Sequence, residues 1–162
     1  VLENEDGRTR GTLTKFYGQL TGDDLAALMP AIIKAVDKMA PSGEMFADGI
    51  RLAGLDLLSQ LHIREGMSLC VSVIELDRWG QGSRVPKCRE CLSRYGVHAK
   101  EVLPQLQNLR DNFVKTNIKT NNEAVKIIDE IIADINSSKT SPVLVDLKAF
   151  MANPTEVPKK KK

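Results

Sequence analysis

Cys88-Arg-Glu-Cys91 is the stretch of this chain best suited to chemistry. A Cys-x-x-Cys on a helix turns both thiols to one side, His98 follows downstream, and Cys70 precedes them on an adjoining segment. Such a set could ligate a tetrahedral zinc or form a redox pair. Three considerations point the other way. The pattern lies within a helical run with no second Cys-x-x-Cys, three cysteines form no disulfide framework, and free cysteine packs as a small hydrophobe. Cys70, Cys88 and Cys91 are therefore expected in the core, with a zinc or redox module built from them and His98 as the alternative.

Other candidates carry less. His62 and His98 fall at joints between helical segments, and no nucleophile or base motif accompanies either. Asp23 with Asp24 reads as a helix start, and Glu3 with Glu5 as a solvated end. Gly-Gln-Gly-Ser at 80 to 83 lacks the lysine and preceding strand of a phosphate loop. No catalytic, cofactor-binding or metal residue is assigned. The expectation is a protein that is not an enzyme, needs no cofactor and has no evident small-molecule substrate.

What must these residues sit on? The chain has 162 residues, enough for one domain with a sizeable core. Only four Phe, two Tyr and one Trp are present, so that core must be aliphatic, which favours helices. The formal charge is +2, but Lys159 to Lys162 supply four positive charges and the remainder carries −2. That balance disfavours a nucleic-acid partner. No apolar run approaches the roughly 20 residues of a membrane span. The chain starts at Val1 within a polar run, as an excised piece of a longer polypeptide would. Its compartment stays open, and an export signal of the parent would lie upstream.

The apolar spacing predicts helices throughout. Leu13, Phe16, Tyr17 and Leu20 form one face. Thr21 caps a second helix with Leu25, Leu28, Met29, Ile32 and Val36 on a stripe and Pro30 as a kink. A third opens at Ser42 or Gly43, is apolar nearly all round, and includes Met45, Ile50, Gly54, Leu57, Leu58 and Leu61. Such a helix needs neighbours on several sides, and close approach of one of them would compensate Gly54. A short buried helix from Met67 to Leu76 runs into a turn at Asp77 to Ser83, followed by one from about Arg84 to Tyr95. The next holds Val102 to Phe113 with Pro104 inside, and the last two hold Ile128 to Ile135 and, with Ser141-Pro142 as cap and first turn, Leu144 to Phe150.

When the chain is slid along itself until Leu58 meets Leu92, segment 58 to 79 lies on 92 to 113: Ile63 falls on Val97, Leu69 on Leu103, and Gly54 on Cys88. Apolar positions in phase across two helices and their connection indicate stacked helical hairpins. The stretches LMPAII and VLPQL, IRxxGxxxLxxL and YGxxAxxVL resemble HEAT-type α-solenoid repeats over residues 8 to 115. The tetratricopeptide Trp, Leu-Gly and Tyr pattern is missing. APSGEMFADGIRLAGLDLL and RWGQGSRVPKC further resemble the helical-repeat end of large, often exported bacterial multidomain proteins.

That resemblance implies an all-α, HEAT-like superhelix of about three hairpins. Residues 1–152 would be one domain, with capping helices at about 122–151 and a disordered lysine-rich tail at 153–162. The function implied is a non-catalytic scaffold or interaction module, the C-terminal part of a larger bacterial protein, whose partner is another protein or a neighbouring domain. In such a solenoid Arg51, Arg84, Arg89 and Arg94 would line the concave side, where they could meet phosphates or carboxylates, and a DNA-holding variant is the second alternative.

Overall fold

The computed structural model describes residues 7–37, 47–75, 81–116, 119 and 121–158. Eight α-helices lie among them: α1 Gly7–Thr14, α2 Gly22–Asp37, α3 Ala47–Gln60, α4 Glu65–Glu75, α5 Gln81–Tyr95, α6 Leu103–Thr116, α7 Asn121–Ser137 and α8 Leu147–Ala152. Short 3-10 helices cover Tyr17–Gln19 and Gly96–Val102. The only β pairing among the described residues is an isolated bridge between Ile63 and Val145. The protein is all-α.

Local chemistry explains most of the boundaries. Thr21 and Asp24 form a reciprocal cap at the start of α2: the Asp24 N–H donates to Thr21 Oγ1 and the Thr21 N–H to Asp24 Oδ2, each at 3.2 Å. α2 continues through Pro30, whose ring faces solvent. Pro104 is not a helix-interior residue as expected. It is the second residue of α6, where the missing N–H is no loss, and it marks the change from 3-10 to α-helix. The expected turn does not last to Ser83, because α5 already begins at Gln81 and carries Pro86 inside it. The first segment also differs from expectation. α1 stops at Thr14, so Tyr17 is buried on the 3-10 turn while Phe16 is 45% exposed. Glu3, Glu5, the expected helix start at Ser42 or Gly43, Met45, Leu76, Asp77, Trp79 and the four terminal lysines lie outside the described residues.

The helices pack in two layers. α1, α3, α5 and α7 lie side by side in chain order, and α2, α4 and α6 lie against them, each meeting the helix that follows it. The same inward spacing recurs down the first layer. Ile50, Gly54 and Leu57 of α3 and Leu61 just after it are buried, as are Arg84, Cys88, Cys91 and Tyr95 of α5 and Ala124, Ile128, Ile131 and Ile135 of α7. From α3 to α5 the burial pattern keeps the expected offset, with Gly54 answered by Cys88 and Leu57 by Cys91. From α5 to α7 the step is longer, carrying Cys88 onto Ile128 and Cys91 onto Ile131. The difference reflects the 7-residue 3-10 helix and 14-residue α6 that stand where the 11-residue α4 stands one unit earlier.

Contacts repeat as well as burial. A Cβ added to Gly54 would fall within 3.0 Å of Val36 Cγ2, so the Val36 side chain of α2 packs directly onto the bare Cα of α3 there. At the equivalent position of the next hairpin, Cys88 of α5 meets Cys70 of α4, its Sγ donating to the Cys70 carbonyl at 3.2 Å. The helix ends correspond too. His62 and Gly96 are the described residues with positive φ, at 52° and 59°. At the first joint the Ile63 N–H donates to Leu58 O at 2.9 Å and the His62 N–H to Ser59 O at 3.3 Å, which is a Schellman closure.

The C-terminal helices do not both cap the stack. α7 ends the stack, against α5 and α6, whereas α8 lies on α2 at the opposite end. Residues 138–146 join them as a strap across the helix joints, so the expected last helix does not open at Ser141-Pro142 or take in Leu144 but begins at Leu147. The Val97 N–H donates to Thr140 O at 2.8 Å, the Arg64 N–H to Val145 O at 3.0 Å, and the Val145 N–H to His62 O at 3.0 Å. The Leu147 N–H then donates to the Glu65 carboxylate, and Phe150 is 1% exposed among Tyr17, Leu25 and Met29. Residues 153–158 are not free chain from their start: Pro154 backbone abuts Gly22, and Val157 packs on the same cluster.

Candidate functional site

The three thiols converge at the junction of α3, α4 and α5. Cys70, Cys88 and Cys91 are all fully buried and unoxidised. Cys91 lies within hydrogen-bonding reach of the Cys70 thiol and of Ser59. The Cys88 thiol and then burial push the Cys70 thiol up, while the Cys70 thiol and then burial push Cys91 up. These two groups stay protonated at neutral pH, and a protonated buried thiol is neither a nucleophile nor a ready ligand. Their surroundings are Leu92, Val71, Ile74 and Tyr95.

His98 is not part of that cluster. Its Nε2 lies 2.9 Å from Pro142 O and 3.4 Å from Ser141 Oγ, so Nε2 carries the proton and the ring fastens the strap. His62 sits at the α3–α4 joint, edge-on to Tyr95 with ring centroids 6.4 Å apart. Burial and then the Arg94 charge lower its pKa, leaving it neutral at pH 7. Tyr95 is itself fully buried and donates to Ile63 O at 2.9 Å. Among the described residues, no group of three or more His, Cys, Asp or Glu side chains is arranged to hold a metal ion.

Of the four arginines expected on a concave side, two are buried, and Arg89 and Arg94 are partly exposed and paired with carboxylates. Arg51 is 1% exposed and Arg84 4%. Arg84 Nε donates to Asp48 at 2.9 Å. Arg94 donates to Asp56 at 2.9 Å, to Ser59 at 2.7 Å and to Glu90. Arg89 reaches across to α7, donating to Asp134 at 2.8 Å and to Glu130. With Lys87 donating to Asp56 at 2.6 Å, α5 is a basic helix held between carboxylates of α3 and α7. The sequence reading missed this ladder. Its only trace was Glu90 one helical turn before Arg94, and Glu130 one turn before Asp134.

Asp56 registers the ladder electrostatically. Burial alone would raise its pKa, but hydrogen bonds from Lys87 and Arg94 outweigh that and lower it. The same contacts raise Lys87 and Arg94 against their own burial. The groups singled out in the sequence thus serve packing, joint closure and helix-to-helix pairing. No family model, no curated protein and no solved structure matches this chain. Among the described residues, no helix is long and apolar enough to cross a membrane.

Proposed function

We propose that this chain is a non-catalytic scaffold, a HEAT-like stack of helical hairpins that presents a rigid surface to another protein or to neighbouring domains of its own polypeptide. One observation carries the reading: the helix contact Val36–Gly54 and its counterpart Cys70–Cys88 occupy the same position in successive hairpins, and the left-handed residues His62 and Gly96 close the corresponding joints. Repetition of an inter-helix contact is a property of stacked units and not of chance periodicity within one helix. The burial of the thiols supports the non-catalytic part of the reading.

The test sets this reading against the zinc or redox module of Cys70, Cys88, Cys91 and His98. Protein purified without chelator is analysed for metal, beside Cys88→Ala. Under the scaffold reading neither holds a stoichiometric metal. One equivalent of zinc, lost in the variant, would replace the scaffold by a metal module. Duplex DNA at low salt serves as the further control, since salt-dependent binding would favour the nucleic-acid alternative.

A further inference from the structure

Residues 145–150 are held to the body of the protein in the way that a binding groove holds a peptide. The segment first pairs as a strand: the Val145 N–H donates to His62 O and the Arg64 N–H to Val145 O, each at 3.0 Å. Arg64 Nε then donates to the Asp146 carboxylate at 3.0 Å. The chain turns into α8 with no side-chain cap from Asp146, and the Leu147 N–H donates instead to the Glu65 carboxylate at 3.0 Å. One helical turn on, Phe150 fills the pocket among Tyr17, Leu25 and Met29, while Val145 and Leu147 lie partly buried against the same cluster. Backbone pairing, a charge pair, an acceptor at the helix start and one aromatic pocket are the elements of strand-addition and helix-in-groove recognition.

The occupant is lightly held, and the groove has other support. Phe150 is the one buried residue between 138 and 158, and Lys148, Ala149, Met151 and Ala152 are exposed. A six-residue helix is too short to persist in water by itself, so α8 exists only while docked. α2, which carries Leu25 and Met29, also packs on α3 and α4. Release of such a segment is a local opening that leaves the stack folded.

We propose that the α3–α4 joint, with the pocket of Tyr17, Leu25 and Met29 beside it, is a docking groove for a segment of another protein, and that residues 145–150 are its occupant in cis. The partner's segment has the chemistry of the one in place: an aliphatic residue and a carboxylate in extended backbone, then one helical turn ending in an aromatic side chain. The proposal rests on the reading of this chain as an interaction module and deepens it, by naming the surface and what that surface takes.

A fluorescently labelled peptide of residues 141–153 is the probe, titrated by anisotropy into the full chain and into Phe150→Ala, whose folding is verified by its cooperative melting. Phe150→Ala should bind the peptide about tenfold or more tightly than the unmodified chain does, because there the tethered segment competes at high local concentration. A peptide carrying Phe150→Ala should bind neither protein. Adding Arg64→Glu to the Phe150→Ala chain should weaken binding several-fold, and Asp146→Arg in the peptide should recover it. No binding by the folded Phe150→Ala chain overturns the proposal, and so does equal affinity for the two peptides that differ at Phe150. If Phe150→Ala does not fold, the unmodified chain decides. Peptide in excess of the about millimolar effective concentration of the tethered segment should quicken exchange at the chain's own Val145 amide, and unchanged exchange there overturns the groove. The scaffold reading stands apart from all of these outcomes, since the metal analysis decides it.

Discussion

Gly54 is the residue on which the α2–α3 contact turns. Its neighbour Val36 Cγ2 belongs to a β-branched side chain with little freedom to swing aside, so a larger residue must move helix backbone. Gly54→Leu should destabilise by about 1–3 kcal/mol or more through overpacking, read as a lowered melting midpoint. The double variant Gly54→Ala/Val36→Ala should lose less than the sum of its single changes, because the cavity made by one accommodates the methyl made by the other. Additive losses would mean that the two residues do not meet. The cysteines support a second expectation. Cys70, Cys88 and Cys91 are inaccessible, and thiol contacts with burial push Cys70 and Cys91 up. The native protein should therefore leave all three thiols unmodified by a thiol reagent at mildly alkaline pH, while the denatured chain reacts at three. Prompt modification of one native thiol would contradict the packing described.

Among the elements, those set by apolar periodicity were legible and those set by pairing at a distance were not. The buried stripe of α2, the Thr21 cap, the close approach at Gly54 and the core cysteines all follow from local spacing or from the register that lays Gly54 on Cys88. α5 was foreseen as a helix with a buried face, but the pairing of its basic residues was not. Its basic residues suggested an outward role, whereas their partners Asp48, Asp56, Glu130 and Asp134 lie on other helices and leave no mark in local sequence. The place of His98 was equally hidden, because its partner Pro142 belongs to a strap without regular structure. The α3–α5 pairing has a pH signature. Since Asp56 is depressed in the folded state, its contribution is fully present above the ordinary aspartate pKa and is lost as pH falls through the lower folded value. Asp56→Asn should accordingly flatten the fall in melting temperature below about pH 4, relative to the unmodified chain. An unchanged acid slope would assign that fall to other carboxylates.

At the scale of the whole molecule, the strap changes what a stack of hairpins would otherwise do. Neighbour-only contacts let repeats unfold piecemeal from either end. Here the chain leaves α7, crosses the joints at Val97, His62 and Arg64, and delivers Phe150 to α2, so the last hairpin is tethered to the first. Phe150 is the anchor, since it is 1% exposed and fills space among side chains of α2 and the turn before it. Phe150→Ala should cost about 3–5 kcal/mol. Where that cost falls is the sharper test. Loss of the anchor frees α8 and loosens the Val145 pairing, so amide exchange should quicken at Arg64, at Val145 and through α2. The amides of α5 and α7, closed by Cys88, Ile128 and Ile131, should keep most of their protection relative to the global value. Exchange that quickens only within α8 would show that the strap adds no coupling, and that α2 is held by α3 and α4 without it.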